Sequence, residues 1–312
     1  MPESDADETA PHRAWVTRGI DPEALAALTS EMPASELWSL LLAVIERRAA
    51  ERKVANLLQQ WESDRFVAPS YVDQRTLLEL DRQLFAAAQG FEAIEISPLA
   101  PLGVCSAIAL TTQNRVVSTT RGTEVVSDPT NVLALESARR LRKDPSLIVR
   151  LATSHRCVRA QELPKRPGFA AHFRIFCMTT AGHEVKDQAF VVDALIGHIR
   201  THLRALTLLE AHGYEFPDRV VKLLANPARA ALAQRIAAAL PEVAVTHELL
   251  THEYYDGLRF MISAGSRLGE AIPLIDGGAF NWLTKLASNR KLVFVASAIG
   301  SQLAAYLYRR GS

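Results

Sequence analysis

The chain is short of cysteine, of one-sided charge and of long apolar runs. Its 312 residues include three cysteines, Cys105, Cys157 and Cys177, far apart, odd in number and without a CxxC spacing. That excludes a disulfide framework and a structural zinc site, and it fits a reduced intracellular protein. The net charge is +1, so nucleic-acid or membrane binding would need a local patch. The acidic start, MPESDADETAPHR, has no apolar core, and no signal peptide is expected. The most apolar stretch runs from Leu292 to Tyr308 and carries Ser297, Ser301 and Gln302. At about 17 residues it sits at the lower limit for a membrane span, and it reads as a buried strand entering a buried helix. No GxSxG, Walker loop or GxGxxG turn is present.

What is present is an ordinary globular composition, 48% hydrophobic and 22% charged, enough to bury a full core in one or two domains. Residues 1–20 read as a flexible acidic tail, 21–70 as an N-terminal helical extension and 71–312 as the core domain. In the extension, DPEALAALTSEM has an Asp cap and a Pro at the first helical position. SELWSLLLAVIERRAAERKVANLLQQWES repeats apolar residues at helical spacing, with a basic second half that reads as a solvated face. A helix is expected from about Tyr71 to Gln89, then a strand in FEAIEISP. Residues 103–126 read as strands joined by turns, and SDPTNVLALESARRLR as a helix capped by Asp128 or Thr130. LIVRLATSHRCVRAQ and AAHFRIFCMTTAG predict a strand, loop and strand. A long helix from Asp187 to His212 follows, then alternating short helical and strand segments to the last helix. This mixture predicts an α+β fold on a largely antiparallel sheet.

Three constellations could carry chemistry. Between Arg139 and Arg174 lie Arg140, Arg142, Lys143, Arg150, Arg156, Arg159, Lys165 and Arg166, opposed only by Asp144 and Glu162. Guanidinium forks there suit a phosphate or carboxylate, and a solvated hairpin explains them equally well. YYDGLRF and IDGGAFNWL set Gly257, Gly277 and Gly278 beside aromatics at strand ends. Glycine there admits a close backbone or a ligand, although turn chemistry is the commoner reason. His198 and His202 share one helix face, but HIRTH is not a metalloprotease motif. They read as partly exposed helix residues, and no metal is expected. Cys157 reads as a buried strand cysteine.

In order and spacing, residues 71–310 resemble the catalytic domain of class II aminoacyl-tRNA synthetases. The nearest branch is the histidyl-tRNA synthetase one, which includes the non-catalytic regulatory subunit of ATP phosphoribosyltransferase. LDRQLFAAAQGFEAIEISPLAP is similar to motif 1 with its proline at Pro98, and SHRCVRAQELPKRPGFAAHFRIF to motif 2. EYYDGLRF resembles the tyrosine-pair signature for histidine binding, IDGGAFNWL the GGRYDxL segment, and FVASAIGSQL stands in the place of motif 3. The resemblance implies a class II synthetase-like antiparallel sheet flanked by helices. It also implies a homodimer formed through the segment around 74–98.

The departures fall on groups that handle ATP. Arg156 fits the motif 2 arginine, but Val158 stands where its glutamate belongs. Leu303 stands at the motif 3 arginine, and Leu250 at the arginine before the tyrosines. Ala279 and Asn281 replace the Arg and Asp of GGRYD. Losing one such donor costs about 10²- to 10³-fold in rate. The resemblance covers the chain up to the last catalytic-domain helix, and no anticodon-binding module is expected.

The leading expectation is a catalytically degenerate paralog, cytoplasmic, that binds an amino acid or related small ligand and acts as a regulatory or binding protein. Its pocket would use Tyr254, Tyr255, Gly257, Gly277 and Gly278, with Arg156 and Arg159 anchoring a carboxylate or phosphate. The alternative is a remodelled enzyme that activates an amino or carboxylic acid, and ATP with magnesium enters only there. An RNA-binding module using the basic stretch ranks third, a protein partner stays open, and no membrane role is expected.

Overall fold

The computed structural model describes residues 18–109, 111–162, 167–269 and 271–310. Lys165 and Arg166 of the basic stretch, and the acidic start, lie outside them. The chain divides into two compact units, Met1–Leu58 with Thr120–Gly122, and Gln59–Thr119 with Thr123–Ser312.

The first unit is helical. Helix α1 (Pro22–Ala26) starts where Asp21 accepts from the Ala24 amide, and it runs into a π-helical turn at Ala27–Glu31. Helix α2 (Ala34–Ala50) follows, and α3 (Val54–Ser63) carries the boundary between the units. None of these helices has a buried residue.

The second unit is built on an eight-stranded sheet. Its strands are β1 (Glu92–Ala93), β4 (Val149–Val158), β5 (His172–His183), β10 (Leu292–Ile299), β9 (Ala271–Phe280), β8 (Leu258–Gly265), β6 (Val220–Ala225) and β7 (Ala244–Leu249), in that spatial order. The outermost pairs, β1 with β4 and β6 with β7, are parallel, and the other five pairs are antiparallel. A separate ribbon pairs β2 (Leu99–Pro101) with β3 (Thr123–Val125).

Strand alternation sends successive side chains to opposite faces, and each face has its own core. Phe176 and Met178 of β5 join a cluster with Leu77, Leu80 and Leu84 of α4 (Gln74–Ala87). The same cluster takes in α7 (Ala189–Glu210), α8 (Ala230–Ala238) and α10 (Ser301–Leu307). Ile175 and Cys177 face the other way, into a cluster with α5 (Val104–Ile108), α6 (Pro129–Lys143) and α9 (Trp282–Ala287). The α+β expectation with a largely antiparallel sheet holds.

Local signals explain where helices start. Asp73 caps α4 by accepting from the Arg75 and Thr76 amides at 2.9 and 3.2 Å. Asp128 caps α6 through the Thr130 amide at 3.0 Å, with Pro129 at the first helical position.

Two expectations are corrected. Residues 103–126 are expected as strands, but the described residues among them form the short helix α5 and, as a strand, only the three-residue β3. The fully buried Glu124 carboxylate accepts from the amides of Gly103 and Cys105 at 2.8 and 3.0 Å and so holds the start of α5. His198 and His202 are not partly exposed, for each is only 1% exposed. The hydroxyl of Ser297 sits 2.8 Å from both rings, and Thr180 is 2.9 Å from His198. Burial pushes both imidazoles down to about 3, His198 further disfavoured by its neighbour His202 and by Arg150. Both are neutral core residues.

Candidate ligand site

On the face covered by α6 and α9, the centre of the sheet opens into a cavity of about 290 Å³. That volume lies at the small end of ligand pockets. Four aromatic side chains line it: Phe173 from β5, Phe280 at the end of β9, and Tyr254 and Tyr255 from the turn before β8. Asp128, Arg159, Asp276 and the backbone of Gly277 supply polar groups.

The tyrosine turn is fixed by its glycine. Gly257 has φ +74°, and a Cβ there would lie 2.7 Å from Arg229 and 2.8 Å from Asn226. The Gly257 carbonyl accepts from the Asn226 amide at 3.1 Å, and the Asp256 amide donates to Ala279 at 2.8 Å. Gly278 serves the same turn, because a Cβ there would stand 2.4 Å from the Leu258 carbonyl and 2.5 Å from the Tyr255 ring. Gly277 admits Ser297, whose Cβ would be 2.5 Å away. The close neighbours of these glycines are protein groups.

Two charged pairs meet the cavity, Arg159 with Asp128, which both line it, and Asp276, which lines it, with Arg259. Arg259 reaches from β8 to Asp276 on β9, with Nε 3.0 Å from Oδ1 and Nη2 2.7 Å from Oδ2. Tyr255 donates its hydroxyl to the same Oδ1 at 2.9 Å. Burial, with the Asp276 charge beside it, raises the Tyr255 phenol well above its ordinary range. Tyr254 is raised in the same way by burial and then by Asp128. Both tyrosines therefore act as neutral donors and apolar surface.

In the other pair Arg159 donates from Nε to the Ser127 carbonyl at 2.9 Å and lies over the Phe173 ring, 5.0 Å from its centre. Its Nη2 is 3.6 Å from Asp128 Oδ2. Burial works against the Arg159 charge, and Asp128 together with Cys157, Tyr254 and Cys105 outweighs it, so its pKa ends above the ordinary value. The pairs cancel in charge, which suits a zwitterion or a neutral polar molecule better than a polyanion.

Tyr254, Tyr255, Gly277 and Arg159 thus come together, with Gly257 and Gly278 shaping the turn behind them. Arg156 does not join them. Its side chain leaves the opposite face of the sheet, where Nη1 lies 2.9 Å from His172 and 3.3 Å from Gln302 of α10. Asp128, Asp276, Arg259, Phe173 and Phe280 were missed as site residues. A signal existed for two of them: Arg259 and Asp276 are lone charges in apolar strands, and they fall on one face of neighbouring strands. Cys157 is fully buried, and burial raises its thiol far above the ordinary value, so it is inert.

No protein-family model matches the sequence, and no curated protein matches it in sequence. Solved structures do match in shape. An ATP phosphoribosyltransferase regulatory subunit/histidyl-tRNA synthetase from Bacillus halodurans superposes with a TM-score of 0.58 at 14% identity, over 77% of this chain and 81% of that one. Histidyl-tRNA synthetase from S. aureus gives 0.53 at 13%, over 74% of this chain and 64% of that one. A histidine–tRNA ligase subunit from Alicyclobacillus acidocaldarius gives 0.56 at 13%, over 77% and 95%. The chain has the class II synthetase-like fold.

Of the residues that the sequence reading places at ATP-handling positions, Arg156 keeps its charge and the others carry none. Leu250 is 6% exposed within the apolar cluster, Ala279 is 3% exposed in the other, and Leu303 packs against that other cluster. Val158 ends β4. These four side chains offer a phosphate neither a cation nor a side-chain hydrogen-bond donor.

Proposed function

We propose that the chain is a catalytically degenerate paralog of the class II synthetases that binds an amino acid or a related small zwitterion and acts as a regulatory or binding protein. The observation that carries this reading is a contrast. A small cavity has a tyrosine pair and charge-balanced polar groups, while Leu250, Ala279 and Leu303, three of the positions expected to handle ATP, are apolar and packed. In the bound state Arg159 would meet the ligand carboxylate and Asp276 its ammonium, with Tyr254 and Phe280 against the side chain. Of the similar structures, one carries the name of a synthetase, one that of a histidine–tRNA ligase subunit, and one that of a regulatory subunit/synthetase. That naming accords with either role.

The reading includes a homodimer formed through the region around 74–98 and a cytoplasmic location. The three unpaired, buried cysteines accord with a reducing compartment.

The test is a thermal-shift screen of all amino acids, each with and without ATP and magnesium. Stabilisation by an amino acid alone is the expected result. Stabilisation that appears only with ATP and magnesium, together with pyrophosphate exchange, would replace this reading with an adenylating enzyme. No response to any amino acid would overturn ligand binding.

A further inference from the structure

Three neighbouring strands floor the tyrosine cavity, and the middle one carries its smallest side chains. Ala296 and Ala298 of β10 both line the cavity and belong with the apolar cluster under α6 and α9. Ala298 stands beside Asp276 of β9 and Cys177 of β5, and Ala296 beside Gly278 and Thr179. A methyl next to a carboxylate, then a methyl next to a glycine, leave a trough along β10. Phe173 and Ile175 of β5 and Phe280 of β9 complete the apolar wall.

The polar side chains of the lining are engaged within the protein, with one exception. Asp276 accepts from Tyr255 and Arg259. Asp128 accepts from the Thr130 hydroxyl at 2.7 Å, and its other oxygen faces Arg159. Ser297 turns its hydroxyl to His198 and His202 on the opposite face of the sheet. The exception is Tyr254, whose hydroxyl makes no hydrogen bond among the described residues. Asp128 and then Arg159 are the charges that act on it most. A ligand carboxylate at Arg159 therefore receives the Tyr254 O–H as well, and a charge-assisted bond completes the hydroxyl. Beyond that carboxylate, and an ammonium at Asp276, the lining has no unengaged polar side chain to offer.

We propose that the cavity selects an α-amino acid with an unbranched or γ-branched apolar side chain, of methionine or leucine size, laid over Ala296 and Ala298. This rests on the amino-acid reading given above and names the class of amino acid. Size and polarity both enter. The cavity of about 290 Å³ equals about ten liquid-water volumes, room for an amino acid of that size. A polar side-chain end would give up its water there without finding a partner. A charged one would also unbalance two pairs that already cancel.

The test is titration calorimetry on the full chain. L-Methionine is expected to bind about ten- to a hundredfold more tightly than L-glutamine, which has nearly the same length and a polar end. Along alanine, 2-aminobutyrate, norvaline and norleucine, affinity should rise about fourfold per methylene. Ala298→Val should weaken norleucine by about tenfold or more and leave alanine within about twofold. Tyr254→Phe should weaken every member of the series alike, by about tenfold, because the carboxylate is common to all. Glutamine, glutamate or lysine binding as tightly as methionine, or a series flat in chain length, would overturn the apolar selection and leave amino-acid binding standing. Those readings use the unaltered chain, so they decide even if Ala298→Val does not fold. Undiminished norleucine binding by a folded Ala298→Val would overturn the floor assignment. No binding of any amino acid would overturn both this selection and the function on which it rests.

Discussion

Replacing Asp276 with Asn tests the charged wall of the cavity. The carboxylate takes three hydrogen bonds, from Tyr255 at 2.9 Å and from Arg259 at 3.0 and 2.7 Å. An amide keeps one acceptor oxygen and turns an NH₂ toward a guanidinium. The Arg259 side chain is only 15% exposed, whereas that of Asp276 is 43% exposed. Breaking a fully buried pair costs about 3–5 kcal/mol, and an exposed pair is worth roughly 0–1 kcal/mol. The mixed exposure places Asp276→Asn between these limits, at about 2 kcal/mol, with a Tm fall of about 3–4 °C. Urea unfolding followed by circular dichroism reads the first quantity, and a thermal scan the second. Adding Arg259→Met removes the stranded cation, so the double variant should recover about 1 kcal/mol relative to the sum of the singles. Strict additivity, or an Asp276→Asn change below about 0.5 kcal/mol, would refute the assignment of this pair as a coupled unit.

Other consequences can be measured on the same material. Gly278→Ala would press a methyl onto the Leu258 carbonyl and the Tyr255 ring at 2.4 and 2.5 Å, and since the backbone cannot yield, a loss of about 2–3 kcal/mol is expected in urea unfolding. His198 and His202, held neutral in the core at about 3, bind protons in the unfolded chain below its ordinary histidine value. Their contribution is therefore present near neutrality and lost as pH falls below about 6, at up to roughly 2.7 kcal/mol per pH unit for the two together. A flat urea midpoint between pH 7 and 5 would contradict it. Leu84→Ala in α4, at a fully buried position, should cost about 2–5 kcal/mol, measured by the same unfolding assay. Light scattering at micromolar concentration should give twice the chain mass, and a monomer would refute the proposed dimer.

What the sequence discloses depends on how local the cause is. The caps Asp73 and Asp128 act on amides two or three residues away, so α4 and α6 could be located from the chain alone. The strand and hairpin pattern of β4 and β5 was equally readable, because alternation is a property of consecutive residues. Helix α5 was not, since its start is held by Glu124, about twenty residues further on, and that contact has no local signature. The two histidines misled for a related reason. Polar residues on a long helix read as a solvent face, and only the distant Ser297 and Thr180 make their burial tolerable.

The separation of Arg156 from Arg159 shows where motif reading fails and geometry decides. Both lie in one short basic stretch, the sequence reading places both at the ligand pocket, and the family pattern matches Arg156 to the motif 2 arginine. Within β4, however, position fixes the face. Arg156 pairs in register with Arg174, and both side chains reach toward α4 and α10. Cys157 belongs to the opposite core, and Arg159, just past the strand end, follows it onto Phe173 and Asp128. A shift of one residue in a strand exchanges the two faces, so no rotamer change within β4 could bring Arg156 to the cavity. If Arg156→Gln nevertheless abolished amino-acid binding while the urea midpoint stayed unchanged, the register of β4 against β5, and with it the placement of Arg156 on the face opposite the cavity, would be wrong.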